Sequence, residues 1–135
     1  MTKGRQMYQL EHSEQFTQGD QTRRAVLGDA HVDRSYQDND EFTGPWRQFS
    51  TEIPWGQIWS RPGLELKTRS IATVATLAAV GDLRELKLHV AGALRLGVKP
   101  EELREIFMQV AAYAGMPRGA AAIRVTREVL DETRA

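Results

Sequence analysis

The chain contains no cysteine. That absence excludes disulfides, thiolate nucleophiles and thiolate metal ligands, and with them thiol–disulfide redox chemistry. Charge of either sign is not in excess, since 18 Lys plus Arg balance 18 Asp plus Glu. Nothing therefore argues for a nucleic-acid surface or a polybasic membrane contact, and neither partner is expected. No apolar run reaches the ~18 residues needed to cross a bilayer. The N-terminus, with Lys3, Arg5, Glu11 and Glu14, lacks the apolar stretch of a secretory leader, so the expectation is a soluble, cytoplasmic protein. Phosphate-cradling glycine loops and histidine pairs at metal-ligand spacing are also missing, and no metal site is expected.

At 135 residues the chain is expected to form one domain with a single core, small enough to gain from assembly. Residues 1–20 are polar and rich in Gln, Glu and Thr, which reads as an arm preceding a helical domain over 21–135. Within that domain the pattern predicts a short helix over 21–27 ended by Gly28, and at best a short amphipathic segment over 29–37. A helix over 41–53 carries Phe42, Trp46, Phe49 and Ile53 at helical spacing and is broken by Pro54. Two Pro and two Gly between Pro54 and Gly63 argue against a long regular element there, while Trp55 and Trp59 require the segment to be packed.

Beyond it the periodicity is strongly helical. Leu66, Ile71, Val74, Leu77 and Ala78 mark a central, enclosed helix over 65–80, ended by Gly81. Asp82 caps the next, which buries Leu83, Leu86, Val90, Ala93 and Leu94 and stops at Gly97. Pro100 opens another, with Glu101 and Glu102 at its positive end and an apolar stripe through Leu103, Ile106, Phe107, Val110 and Ala114. Gly115-Met116-Pro117 ends it, and a last helix runs over 118–132. No segment alternates like a strand. The fold class is all-α, with about six helices.

Glu85 and His89 lie four residues apart, so on a helix they face the same way, on the flank of the core stripe, and can hydrogen-bond. Such a pair holds a proton near neutral pH and passes it to a bound molecule; the plainer reading is a surface salt bridge. Arg23, Arg24, Arg34, Arg61 and Arg69 offer donors for an anionic ligand. Among them Arg61 is best fixed, by the Pro-Gly turn around it. His31 can join Arg34 at a site, and His12 lies in the polar arm. Tyr113 ends a helix, where its hydroxyl points into a cleft or its ring packs in the core.

Taken together, Arg23-Arg24-Ala25-Val26-Leu27-Gly28-Asp29-Ala30-His31-Val32-Asp33-Arg34, then Trp55-Gly56-Gln57-Ile58-Trp59-Ser60-Arg61-Pro62-Gly63-Leu64 and Thr68-Arg69-Ser70, resemble the carboxymuconolactone decarboxylase family. The resemblance continues through Glu85-Leu86-Lys87-Leu88-His89-Val90, Gly97-Val98 with Glu102, and Tyr113 with Gly115 and Pro117. It implies the all-helical alkylhydroperoxidase D-like fold. The peroxidase relatives carry Cys-x-x-Cys-x-x-x-His, where this chain reads Asp82-x-x-Glu85-x-x-x-His89: the histidine stays and both thiols are gone. The resemblance implies decarboxylation of 4-carboxymuconolactone to 3-oxoadipate enol-lactone and carbon dioxide, in protocatechuate breakdown by the β-ketoadipate pathway. It needs no cofactor, because the substrate is its own electron sink. It also implies His89 oriented by Glu85 as the catalytic pair, and a dicarboxylate lactone bound by Arg61, Arg34, His31 and Tyr113 against a wall of Trp55 and Trp59. A homo-oligomer, hexamer or trimer, is expected. The competing readings are an isomerase or hydrolase of a related lactone, and a non-catalytic helical oligomer.

Overall fold

The computed structural model describes residues 4–134. Residues 1–3 of the expected arm and residue 135 lie outside the described residues. The described chain is all-α, with seven α-helices where the sequence suggested about six, and one π-helical segment. No strand occurs among the described residues; Met7 and Asp40 form a single isolated bridge. The chain divides into two compact units, Met1–Gly63 and Leu64–Ala135.

In the first unit, α1 spans Glu14–Leu27, α2 Asp29–Tyr36 and α3 Thr43–Ser50, followed by the π-helix Thr51–Trp59. Helix α1 begins well before the expected residue 21. Ser13 caps it by accepting from the Phe16 amide at 3.1 Å, and Phe16 is 1% exposed. The cap and a single buried ring suffice to start the helix within a stretch that otherwise reads as polar. Helix α1 packs chiefly on the π-helix.

Pro54 does not end the helical path as expected. Helix α3 passes directly into the π-helix, which runs through Pro54 to Trp59. A π-turn lacks the regular i→i−4 ladder, so the missing proline N–H and the bulk of its ring are tolerated there. The reason for the detour is packing: Trp55 and Trp59 stack with ring centroids 4.8 Å apart, and both are buried. The aromatic stripe of α3 faces the other way. Phe42, Trp46 and Phe49 are exposed, although their spacing is helical.

The second unit is an assembly of α4 (Leu66–Val80), α5 (Leu83–Arg95), α6 (Pro100–Ala114) and α7 (Met116–Arg134). Its boundaries follow the chain's punctuation. Gly81 takes the left-handed conformation, φ 82°, that closes α4 at low steric cost. Its amide and that of Asp82 both donate to the Leu77 carbonyl. Asp82 then caps α5, accepting from the Glu85 amide at 3.2 Å. Val74, Ala78, Leu86, Val90, Leu103, Phe107 and Ala122 are fully buried at the centre.

Three details depart from expectation. Helix α4 is not enclosed, because Ala72, Thr76, Ala79 and Val80 are exposed. Leu83 and Ala114, assigned to buried stripes, are exposed too. Each lies at the end of a helix, where the apolar stripe overruns its neighbours.

Candidate active site

Helix α5 carries Glu85 and His89, the candidate acid–base pair. Leu86, Val90 and Ala93 anchor its inner face in the core, and the Asp82 cap fixes its first turn. On the flank, Glu85 is exposed, whereas His89, one turn on, is only 6% exposed. The two are therefore not equivalent surface groups. A carboxylate in water stands one turn from an imidazole set beneath the surface, which suits proton exchange with solvent at one end and proton delivery in a drier setting at the other. The two side chains are not both exposed, as those of an ordinary surface pair would be.

The remaining candidate residues, apart from Arg69 on α4 and Tyr113 on α6, belong to the first unit. On α2, His31 is half-buried and Arg34 exposed. Arg34 makes no ion pair among the described residues. Its neighbour Asp33 is taken by Arg24, whose guanidinium also holds Asp20 and Asp29, at 2.8, 3.0 and 3.2 Å respectively. Those three carboxylates, Asp33 foremost, hold Arg24 more firmly charged than usual, so Arg24 is committed to structure. Arg61 is exposed in the turn that closes the π-helix, its amide donating to the Ile58 carbonyl at 3.1 Å. That turn is tied down by Ser60, whose hydroxyl donates to the Trp55 carbonyl and meets the Thr22 hydroxyl, each at 2.7 Å. Trp55, Trp59 and Arg61 thus form one packed corner of this unit, while His31 and Arg34 share a helix.

Sequence reasoning counted Arg23 only as one cation among several, yet it is the most buried of the first unit's charges, 4% exposed. It donates to the Ser35 hydroxyl at 2.9 Å and lies over the Tyr36 ring. Burial, and next the nearby Arg47 guanidinium, lower its pKa from the usual arginine value. Tyr36 donates its phenol proton to Asp20, and burial, reinforced by that bond, pushes the phenol up to about 12. Asp20 and Arg24 at i,i+4 were the visible trace of this network in the sequence; its third dimension was not.

Tyr113 stands apart from Glu85 and His89. It is 86% exposed and lines an open groove of about 580 Å³ between α4 and α6, whose lining includes neither Glu85 nor His89. Its ring is not in the core. Among the described residues no group of three or more His, Asp or Glu is placed to hold a metal ion, and no helix is long and apolar enough to cross a membrane.

The profile of the Carboxymuconolactone decarboxylase family matches residues 45–128, which take in the π-helix, α5 with Glu85 and His89, and most of α7. The chain belongs to this family. Among its relatives, the 4-carboxymuconolactone decarboxylase of Acinetobacter baylyi is 36% identical over 91% of this chain and 92% of its own length. The nitrosuccinic acid decarboxylase npaB of Metarhizium robertsii is 35% identical over 90% of this chain and 85% of its own length. A 4-carboxymuconolactone decarboxylase of Pseudomonas putida is 40% identical over 35% of this chain and 98% of the relative. Decarboxylation, a carbon–carbon lyase reaction, is the chemistry that these relatives have in common.

Proposed function

We propose that the chain decarboxylates 4-carboxymuconolactone to 3-oxoadipate enol-lactone and carbon dioxide without a cofactor. The observation that carries this reading is the near full-length similarity to the Acinetobacter enzyme, 36% identical over 91% of the chain, in a protein with a buried histidine on the α5 flank. In this substrate the departing carboxylate sits on the carbon γ to an unsaturated lactone carbonyl. Loss of carbon dioxide sends the electron pair through the double bond onto the carbonyl oxygen, giving a dienolate. The protein has to stabilise that oxyanion, leave the departing carboxylate poorly solvated and protonate the α carbon.

In this reading His89 supplies the proton and Glu85 restores it from solvent, in keeping with their unequal exposure. Arg34 and Arg61 bind the carboxylates bidentately, with His31 as a further donor. Trp55 and Trp59 form an apolar wall.

A second reading rests on the nearly equal similarity to the nitrosuccinic acid decarboxylase. A nitro group beside a carboxylate accepts the departing electron pair as the lactone carbonyl does, so the same proton donor and arginines serve a nitro dicarboxylate. The deciding experiment incubates the protein with each substrate in parallel, measuring released carbon dioxide and, for the lactone, the enol-lactone. Turnover of the lactone at a kcat/KM well above that of nitrosuccinate supports the first reading. The reverse preference supports the second, and conversion of the lactone without carbon dioxide would point to an isomerase or hydrolase.

A further inference from the structure

Helices α6 and α7 form an antiparallel pair joined at Gly115. Near that turn they are pinned together, since Gly119 lies against Ala111 and the Phe107 carbonyl with no room for a Cβ. Toward their other ends they line a cleft of about 240 Å³. Pro100, Ile123 and Leu130 supply its apolar surface, and Glu101, Arg104 and Arg127 its charges. The cleft lies wholly within the second unit and includes neither Glu85 nor His89.

The charges are arranged unlike those of an ordinary helix surface. Arg104 precedes Gly115 by eleven residues and Arg127 follows it by twelve, so the two stand level on facing helices. Two like charges on one small cleft repel unless an anion lies between them. Their ion pairs lead elsewhere. Arg104 reaches Glu105 at 3.4 Å and Arg127 reaches Asp131 at 3.9 Å, and neither carboxylate lines the cleft. Both contacts are longer than the ~2.7–2.9 Å of a strong charged hydrogen bond. Glu101, one turn before Arg104, makes no ion pair among the described residues. Two arginines against one glutamate leave the lining with one unbalanced positive charge.

We propose that this cleft binds a small organic monocarboxylate with an apolar body. The carboxylate lies between Arg104 and Arg127, each of which offers it a planar fork of donors. The body, a ring or a branched chain, packs on Ile123, Leu130 and Pro100. Volume sets the size: the space of about eight waters at ~30 Å³ each admits a molecule of roughly ten non-hydrogen atoms. Charge sets the valence. One carboxylate balances the lining, whereas a second would stand against Glu101 and be repelled. That preference is opposite to the one proposed for the catalytic centre, which takes a dicarboxylate, so the cleft is not a second substrate site. Occupancy ties the open ends of α6 and α7 together and stabilises the second unit.

Benzoate is the probe, read by titration calorimetry and by the shift in melting temperature. It should bind saturably and raise the melting temperature. Arg104→Gln and Arg127→Gln change exposed side chains and so leave the core intact. Each should weaken benzoate binding at cleft by about 10-fold or more, as expected for loss of a charged hydrogen-bonding partner, and the double variant should abolish it. Arg34→Ala, in the candidate active site, should leave it unchanged. Phthalate, which adds a second carboxylate to the same ring, should bind more weakly than benzoate. Glu101→Gln should tighten phthalate about 10-fold and benzoate less, because the removed charge faces the second carboxylate. A binding component that the double variant removes and Arg34→Ala keeps supports the proposal; absence of any such component overturns it. Equal binding of phthalate and benzoate in the wild type would overturn the preference for a single charge. Because binding is read without turnover, failure here is separable from failure of the catalytic reading.

Discussion

Gly19 of α1 lies directly on the Thr51 carbonyl of the π-helix, with no room between them for a Cβ. A methyl group at Gly19 would also fall 2.8 Å from the Gly56 amide nitrogen. Both neighbours are backbone, so neither can swing aside. Gly19→Ala is therefore expected to destabilise the first unit by about 3 kcal/mol, at the upper end of overpacking costs. The cost arises although alanine is the better helix former. Urea unfolding followed by tryptophan fluorescence reads the change, and a midpoint at or above wild type would contradict this close packing.

Tyr36 gives the first unit a dependence on alkaline pH. Its folded pKa is raised from 10.0 to about 12, by burial first and the Asp20 hydrogen bond second. Below pH 10 both folded and unfolded chains keep the proton, and the contribution is complete. Between pH 10 and about 12 the unfolded chain releases a proton that the folded chain holds, so stability falls as pH rises. Tyr36→Phe should lower stability by about 1 kcal/mol at neutral pH through loss of the hydrogen bond, and should flatten the decline across that window. Urea midpoints measured at several alkaline pH values test both parts; parallel curves for the two proteins would refute the assignment to Tyr36.

The three tryptophans divide unequally between solvent and interior. Trp55 and Trp59 are each 9% exposed, Trp46 62%. Acrylamide is expected to quench one emitting population strongly and leave the stacked pair largely protected. Trp46→Phe should remove the quenchable population with little loss of stability, whereas Trp55→Ala should cost about 3–5 kcal/mol for a large ring removed from a packed site. Uniform quenching in the wild type would mean that the π-helix does not hold its pair.

These contrasts show why the second unit was legible and the first was less so. Gly81, Asp82, Gly97, Pro100 and Gly115 act through local backbone chemistry, and that chemistry is written in the residue type. Their helix boundaries therefore followed from the sequence. The path of residues 51–59 follows from where two indole rings find a buried stack, a tertiary cause that overrides the local proline signal. The early start of α1 likewise depends on one ring, Phe16, finding a pocket. Periodicity assigned Phe42, Trp46 and Phe49 to one helix face but could not say whether a neighbour covers it. For the site, spacing placed Glu85 and His89 on one flank, while their difference in burial emerged only in three dimensions.

Arg34 is the cation of α2 whose charge no described carboxylate neutralises, in contrast to Arg24 with its three aspartates. If it grips a substrate carboxylate, Arg34→Ala should raise KM about 10- to 100-fold, in line with loss of a charged hydrogen bond worth about 1.5–3 kcal/mol. Arg34→Lys should recover only part, because an ammonium cannot reproduce the planar two-point contact. Arg24→Ala should instead lower stability. Steady-state kinetics beside thermal unfolding separates the two arginines, and an unchanged KM for Arg34→Ala would remove it from the binding reading.

His89 and Glu85 are expected to fail differently. Loss of a positioned general acid costs about 10²–10⁴ in rate, so His89→Ala should lower kcat by that factor while KM changes little. Its burial means the change also leaves a cavity, so folding must be checked by thermal unfolding, and His89→Gln, closer in volume, is the companion variant. Glu85 is exposed and acts one step removed, so Glu85→Gln should cost about 10-fold, within the lower part of what proton-transfer assistance supplies. That loss should shrink as a small acidic buffer is added, because a soluble acid can reload His89 when the carboxylate cannot. A structural role for Glu85 would leave the buffer dependence flat. Full turnover in His89→Gln, with the mass of the assembly unchanged, would transfer the proton-donor role to another residue.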